Sequence, residues 1–132
     1  MSRGHCEVRL TRRYDSTPAE VWGALTDPTS LGRWLARAVD VELVAGGAFV
    51  LALPGDGGLV QARVRELETQ RVLELDWSHA DEERSVVRFE LAADGEGTVL
   101  VLDHRRIDEP IGMAYITRWS QALERLDREL GG

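Results

Sequence analysis

The C-terminal segment carries the pattern that most constrains the fold of this chain, an amphipathic helix. Between Pro110 and Gly132, apolar residues recur at alternating spacings of three and four: Ile116, Trp119, Leu123, Leu126 and Leu130. This spacing predicts an α-helix with one apolar face, and the two closing glycines predict its end. Such a helix is roughly 28 Å long at about 1.5 Å per residue, so it needs a broad apolar surface to pack against.

The segments before this helix predict that surface, because they alternate between apolar and polar residues. Alternation over Glu7 to Arg13 predicts a first strand, and from Val39 to His104 it predicts about six more. Glycine-rich turns, the clearest at residues 54–58, separate the strands and predict hairpins. The sequence therefore predicts an antiparallel sheet of about six or seven strands whose inner face receives the helix.

Two short helices are predicted between the first strand and the rest of the sheet. Thr17-Pro18-Ala19-Glu20 has the pattern of a capping box with proline at the first helical position. Asp27-Pro28 ends that helix and starts a second, whose buried side includes Trp34. Because strands and helices are segregated along the chain, the fold class is α+β, and we expect residues 1–132 to form a single domain.

Composition and charge exclude several classes of function. The formal net charge of −7 argues against nucleic acid as a partner, and the absence of lysine excludes Schiff-base chemistry at a lysine. One cysteine, Cys6, allows no internal disulfide, and no apolar run approaches the ~20 residues that span a bilayer. We therefore predict a cytoplasmic protein that is a monomer or a homodimer.

The histidines show no metal-ligand spacing and no nucleotide-binding motif is present, so we predict no metal and no cofactor.

The order of these elements resembles a known superfamily. The segments TPAEVWGALTDP, LGRW, GGAF, GTVLVLDH and WSQALERL are similar to those of START-like proteins, also called SRPBCC or helix-grip proteins. Within that superfamily the resemblance is to the branch of the activator of heat-shock chaperone ATPase. Arg118 departs from the pattern, because the branch often has glycine just before the tryptophan of the last helix. The resemblance implies a curved sheet wrapped around the C-terminal helix, with a cavity between them.

Residue parity predicts which side chains would line that cavity. The candidate ligand-binding residues are Trp34, Phe49, Leu51, Leu75, Trp77, Phe89, Leu102, His104, Met113, Tyr115, Ile116 and Trp119. His104 is the one titratable group that parity places on the inner face. It would either bind a ligand or exchange a proton with it, or it would be a structural histidine bonded to a loop carbonyl at the sheet rim. No residue is assigned a catalytic role, and His5 and His79 are assigned none at all.

Three functions remain open from the sequence. The leading hypothesis is the binding of a hydrophobic small molecule in the cavity, with that apolar ligand as the partner. The first alternative is a cavity enzyme of the polyketide cyclase or aromatase kind, in which the pocket would hold a flexible substrate in a reactive shape. The second is an interaction domain like that of the chaperone ATPase activators.

Overall fold

In the part of the chain that the computed structural model describes, residues 4–55 and 57–131, seven strands form one antiparallel sheet. They are β1 (His5–Tyr14), β2 (Arg37–Val41), β3 (Ala48–Ala52), β4 (Leu59–Glu68), β5 (Val72–Trp77), β6 (Ser85–Asp94) and β7 (Gly97–Asp108). Their order across the sheet is β1-β7-β6-β5-β4-β3-β2. Strands β2 to β7 therefore form a meander, and the last strand, β7, pairs with the first, β1. The predicted α+β fold, with about seven strands, is confirmed.

Three helices accompany this sheet: α1 (Pro18–Thr26), α2 (Pro28–Trp34) and α3 (Gly112–Glu129), the last preceded by a 3-10 turn at Glu109–Ile111. The predicted capping box at Thr17 is present, and Asp27 caps α2 by accepting a hydrogen bond from the Ser30 amide at 3.0 Å. The long helix α3 lies against the sheet, where the Trp119 ring meets that of Phe89 on β6 at a centroid distance of 5.9 Å. Within the described residues, no helix has the length and apolar character needed to cross a membrane.

The capping box gives a first testable prediction. The Thr17 hydroxyl accepts from the Glu20 amide at 3.2 Å, and the Glu20 carboxylate accepts from the Thr17 amide at 3.0 Å. Thr17→Ala removes the first bond and should lower the free energy of unfolding by about 1 kcal/mol, measured by urea denaturation. Thr17→Ser keeps a capping hydroxyl and should be nearly neutral. Equal losses in the two variants would show that the cap does not stabilise the fold.

The inner face of the sheet forms the core, as the alternation predicts. Buried side chains on it include Phe49, Leu51, Val60, Ala62, Val64, Leu73, Leu75, Trp77, Val87, Phe89, Leu91, Leu100, Leu102 and His104. Helix α3 contributes its own buried face: Tyr115, Trp119, Ala122, Leu123 and Leu126. The sheet and helix periodicities read from the sequence therefore identify most of this core.

Two residues of α3 do not face the sheet, which corrects the prediction for them. Met113 is 75% exposed and Ile116 is 39% exposed. At about 3.6 residues per turn, the buried arc runs from Ala122 through Tyr115 and past Trp119. Ile116 falls at the far edge of that arc, and Met113 lies further round on the solvent side. The helix is rotated slightly from the orientation that its apolar spacing alone suggests.

Strand β2 also differs from the simple alternation in its sequence, in which Val39, Val41 and Leu43 would share one face. The pairing of β2 with β3 shifts register between Ala38 and Asp40, so the simple alternation is broken. Val39 is consequently 50% exposed, and Leu43 lies beyond the end of the strand and is also exposed. Only Val41 of the three packs against the core.

The outer face of the sheet carries ion pairs between neighbouring strands. Arg9 on β1 donates two hydrogen bonds of 2.8 Å to the Asp103 carboxylate on β7. Glu74 on β5 accepts bonds from three arginines on other strands, namely Arg65, Arg88 and Arg105. Burial alone would raise the pKa of Glu74, but the bonds from Arg105 and Arg88 outweigh it and hold that pKa below its ordinary value.

Candidate functional site

A cleft of about 820 Å³ lies between α3, the end of α2 and the tip of the β3–β4 hairpin. Four aromatic side chains from three different elements line it: Trp34 of α2, Trp77 of β5, and Tyr115 and Trp119 of α3. The remaining apolar contacts come from short side chains and loop residues, including Leu35, Ala36, Leu53, Pro54, Val60 and Ala122. The four rings are each only 1–4% exposed, so they form a buried floor, and the rest of the lining comes from shorter and polar side chains.

The structure brings four of the twelve predicted ligand-binding residues to this cleft: Trp34, Trp77, Tyr115 and Trp119. Six others are buried in the core and do not line it: Phe49, Leu51, Leu75, Phe89, Leu102 and His104. Met113 and Ile116 point to solvent away from it. Much of the space expected between sheet and helix is thus filled by side chains, and the open volume lies to one side of α3. Ligand contact by any of the twelve stays a prediction.

His104 is part of a buried hydrogen-bonded chain. The Trp119 indole N–H donates to His104 Nδ1 at 2.9 Å, and His104 Nε2 lies 2.7 Å from the Ser85 hydroxyl. Because an indole N–H can only donate, Nδ1 must be the unprotonated nitrogen, and the neutral ring donates from Nε2 to Ser85. Burial lowers the pKa of His104 to about 3. His104 is therefore a neutral structural histidine, deeper than the sheet-rim position considered from the sequence.

The floor of the cleft is stiffened by contacts among its aromatic rings. The Trp77 and Trp119 rings lie 5.5 Å apart between centroids, and the His104 and Tyr115 rings lie 4.3 Å apart. The Trp34 indole N–H donates to the Ala24 carbonyl at 2.7 Å, which fixes the ring at the end of α2. Rings held from several directions present a preformed surface, which reduces the entropy lost when a ligand binds.

A polar cluster lies beside this floor and includes a residue to which the sequence assigned no role. His79 Nε2 donates to the Gly57 carbonyl at 2.6 Å, and Nδ1 lies 3.1 Å from the Glu82 carboxylate. The Tyr115 hydroxyl donates to Glu82 and accepts from the Trp77 indole N–H at 3.3 Å. Burial, followed by the bond to Glu82, raises the pKa of the Tyr115 phenol. Continuing the parity of Leu75 and Trp77 by one step would have placed His79 on the inner face.

Four arginines also line the cleft: Arg33, Arg37, Arg118 and Arg125. The Arg125 Nε–H donates to the Trp34 carbonyl at 2.9 Å, which ties α3 to the end of α2. The Arg118 guanidinium lies 5.5 Å from the centre of the Tyr115 ring, in cation–π range. Of these four, the sequence singles out only Arg118, as a departure from the glycine that the family often has at this position. The other three sit on different elements, so nothing in their spacing shows that they meet.

A meandering antiparallel sheet, two short helices after the first strand and a long C-terminal helix beside a cleft define the START-like, helix-grip class. Residues 15–131 match the family model described as activator of Hsp90 ATPase homolog 1-like protein. The chain belongs to this family, and the resemblance drawn from its motifs is confirmed. No curated protein matches the sequence.

Solved structures of other proteins share this fold. CalU16 from Micromonospora echinospora is 27% identical with a TM-score of 0.83, and the match covers 98% of this chain and 85% of that one. MLL2253 from Mesorhizobium loti is also 27% identical, with a TM-score of 0.84 and coverage of 96% and 97%. DynU16, a protein of the dynemicin biosynthetic locus, is 23% identical with a TM-score of 0.85, covering 95% of this chain and 47% of that one. At that lower identity, the DynU16 match concerns the fold alone.

Proposed function

We propose that this chain binds a small apolar molecule, with an aromatic or aliphatic body, in the cleft beside α3. The observation that carries the proposal is the convergence of Trp34, Trp77, Tyr115 and Trp119 on one open volume of about 820 Å³. Small-molecule sites typically occupy about 300–1,000 Å³ and combine apolar walls with a few placed polar groups. Membership of an SRPBCC-type family supports the same function.

The alternative, a cavity enzyme of the polyketide cyclase kind, has less support from the geometry. A general acid or base needs a proton or a lone pair free for the substrate. The Tyr115 proton is bonded to Glu82, and the His79 Nε2 proton is bonded to the Gly57 carbonyl. Both nitrogens of His104 are engaged within the core. The cleft therefore has side chains that can hold a molecule, but few groups with a free proton or lone pair that could catalyse a reaction.

Filling the cleft tests the proposal directly. Leu53 is half-buried and lines the cleft near the tip of the β3–β4 hairpin, whereas Leu59 on the same hairpin is 47% exposed and does not line it. Leu53→Trp should place a large ring in the open volume, and Leu59→Trp is the matched control. A thermal-shift screen of fatty acids, flavonoids, sterols and polyketide fragments supplies the ligands.

Compounds that bind the wild type should raise its melting temperature by several degrees, because a hundredfold excess over Kd adds about 2.7 kcal/mol. The same compounds should stabilise Leu59→Trp equally and Leu53→Trp much less. The proposal fails if no compound stabilises the wild type, or if Leu53→Trp responds as the wild type does. A stoichiometric complex with the chaperone in a pull-down from lysate would instead favour the interaction hypothesis.

A further inference from the structure

We infer that the ligand of this cleft is an organic anion, an apolar body bearing a carboxylate, sulfonate or phosphate that Arg37, Arg118 and Arg125 bind. This inference rests on the proposed function, because it adds the charge of the ligand to the apolar character already argued. It follows from the distribution of charge around the cleft, from the absence of a carboxylate partner for three of its arginines among the described residues, and from the way two of them are held.

The charge of the cleft is opposite to that of the whole chain. The formal net charge is −7, from 23 acidic and 16 basic residues. Four of those basic residues line the cleft, yet no aspartate or glutamate does among the residues that the structure describes. A concave surface of one sign with low-dielectric walls concentrates the field and attracts a ligand of opposite charge. Neutral apolar ligands would gain nothing from this arrangement.

The cleft arginines also differ from those on the outer face of the sheet. There, Arg9, Arg65, Arg88 and Arg105 each bond a carboxylate on another strand. Of the four cleft arginines, Arg33 alone has such a partner among the described residues, a long contact of 3.5 Å to Glu129. No carboxylate of the described chain lies within ion-pairing distance of Arg37, Arg118 or Arg125. As far as the described residues go, three guanidinium groups are therefore able to pair with an anion from outside.

Two of these guanidinium groups are held in place before any ligand arrives. Arg125 is fixed through its Nε–H to the Trp34 carbonyl, and this bond does not use its terminal nitrogens. Arg118 lies over the Tyr115 ring, which restricts its position at the edge of the aromatic floor. Guanidinium groups bind oxyanions through paired hydrogen bonds, and prior positioning lowers the entropic cost of doing so. An aromatic floor bordered by such groups suits an amphipathic acid.

Two fluorescent probes that differ in one group distinguish recognition of the anionic group from binding of the apolar body. 8-Anilinonaphthalene-1-sulfonate and N-phenyl-1-naphthylamine share the same aromatic body, but only the first carries a charge. We expect the wild type to bind the sulfonate at least about tenfold more tightly, which corresponds to one charge-assisted hydrogen bond. Added NaCl should weaken binding of the sulfonate and leave the neutral probe unaffected.

Substitutions then locate the anion site. Arg118→Gln changes an exposed side chain and should weaken sulfonate binding about tenfold, with no change for the neutral probe. Arg125→Gln should act in the same way, with near-UV circular dichroism used to verify its fold. Arg71→Gln is the matched control, because Arg71 pairs with Glu68 at the β4–β5 turn and does not line the cleft. Leu53→Trp should weaken both probes, which places them in the cleft.

The possible results distinguish the anion inference from the proposed binding function. Equal binding of both probes, insensitive to salt and to Arg118→Gln, overturns the anion inference and leaves the binding function standing. Binding of neither probe overturns both. Sulfonate binding that Leu53→Trp does not weaken places the probe outside the cleft and also overturns the inference. Selective loss of the sulfonate in Arg118→Gln and Arg125→Gln supports it.

Discussion

Leu123→Ala is expected to lower the free energy of unfolding by about 2–5 kcal/mol, a large part of the ~5–15 kcal/mol that holds a domain folded. Leu123 is 1% exposed in the middle of the buried face of α3. Truncating it removes apolar contacts and leaves a cavity that rigid neighbours cannot fill. Its carbonyl also accepts the buried Tyr14 hydroxyl at 3.0 Å, which ties α3 to β1 at the same place.

Glu124→Ala is the matched control for this prediction. Glu124 is the next residue on α3 and is exposed, so its loss removes no buried surface. Alanine is also the best helix former, and the change should therefore alter stability by no more than about 0.5 kcal/mol. Urea denaturation of both variants gives the comparison. Similar losses at the two positions would mean that the face of α3 is assigned wrongly.

The second large effect is a fall in stability on mild acidification, caused by His104. Its pKa is about 3 in the folded protein, against an ordinary value of 6.5. Below pH 6.5 the unfolded chain takes up a proton at this position and the folded protein does not. The free energy of unfolding is therefore not reduced by His104 above pH 6.5, and it falls progressively as the pH drops toward 3. Between pH 7 and 5 the loss should be about 2 kcal/mol.

A variant without a titrating group at this position isolates the effect. In His104→Asn the amide oxygen can accept from the Trp119 indole N–H, as Nδ1 does in the wild type. The variant should be less stable at pH 7 but should show a much smaller change between pH 7 and 5. Leu123→Ala, which lowers stability but leaves His104 in place, is the control and should keep the wild-type slope. An unchanged slope in His104→Asn would contradict the assignment.

The regular parts of the fold are predictable from the sequence because they follow from periodicity. The alternation that ends at His104 correctly places Leu100 and Leu102 on the buried face, and the apolar spacing of α3 correctly places Trp119 and Leu123. The capping residues Thr17 and Asp27 mark the true helix starts. Each of these patterns is formed by residues close together in the sequence, so it can be read without knowing which distant segments meet.

The cleft is not predictable in this way, because it is formed where distant segments meet. Arg37 begins β2 and Arg125 lies near the end of α3, and only the packing of α2 beside α3 brings them to one opening. Likewise, parity assigns Leu51 and Leu75 to an inner face, but it cannot distinguish a filled core from an open volume. The rotation of α3 that exposes Met113 depends on which neighbours it packs against.

The pairing of β1 with β7 has a consequence for how the chain reaches this fold. In that ladder His5 pairs with Asp108 and Tyr14 pairs with Thr98, so most of the chain lies between the partners. Closing so long a loop is entropically costly, and non-local strand pairing slows folding. On the ribosome, β1 emerges before the strand that will cover its backbone groups. The charged side chains of Arg9 and Arg13 oppose association with other chains during that interval. The sheet can be completed only after β7 has been synthesised.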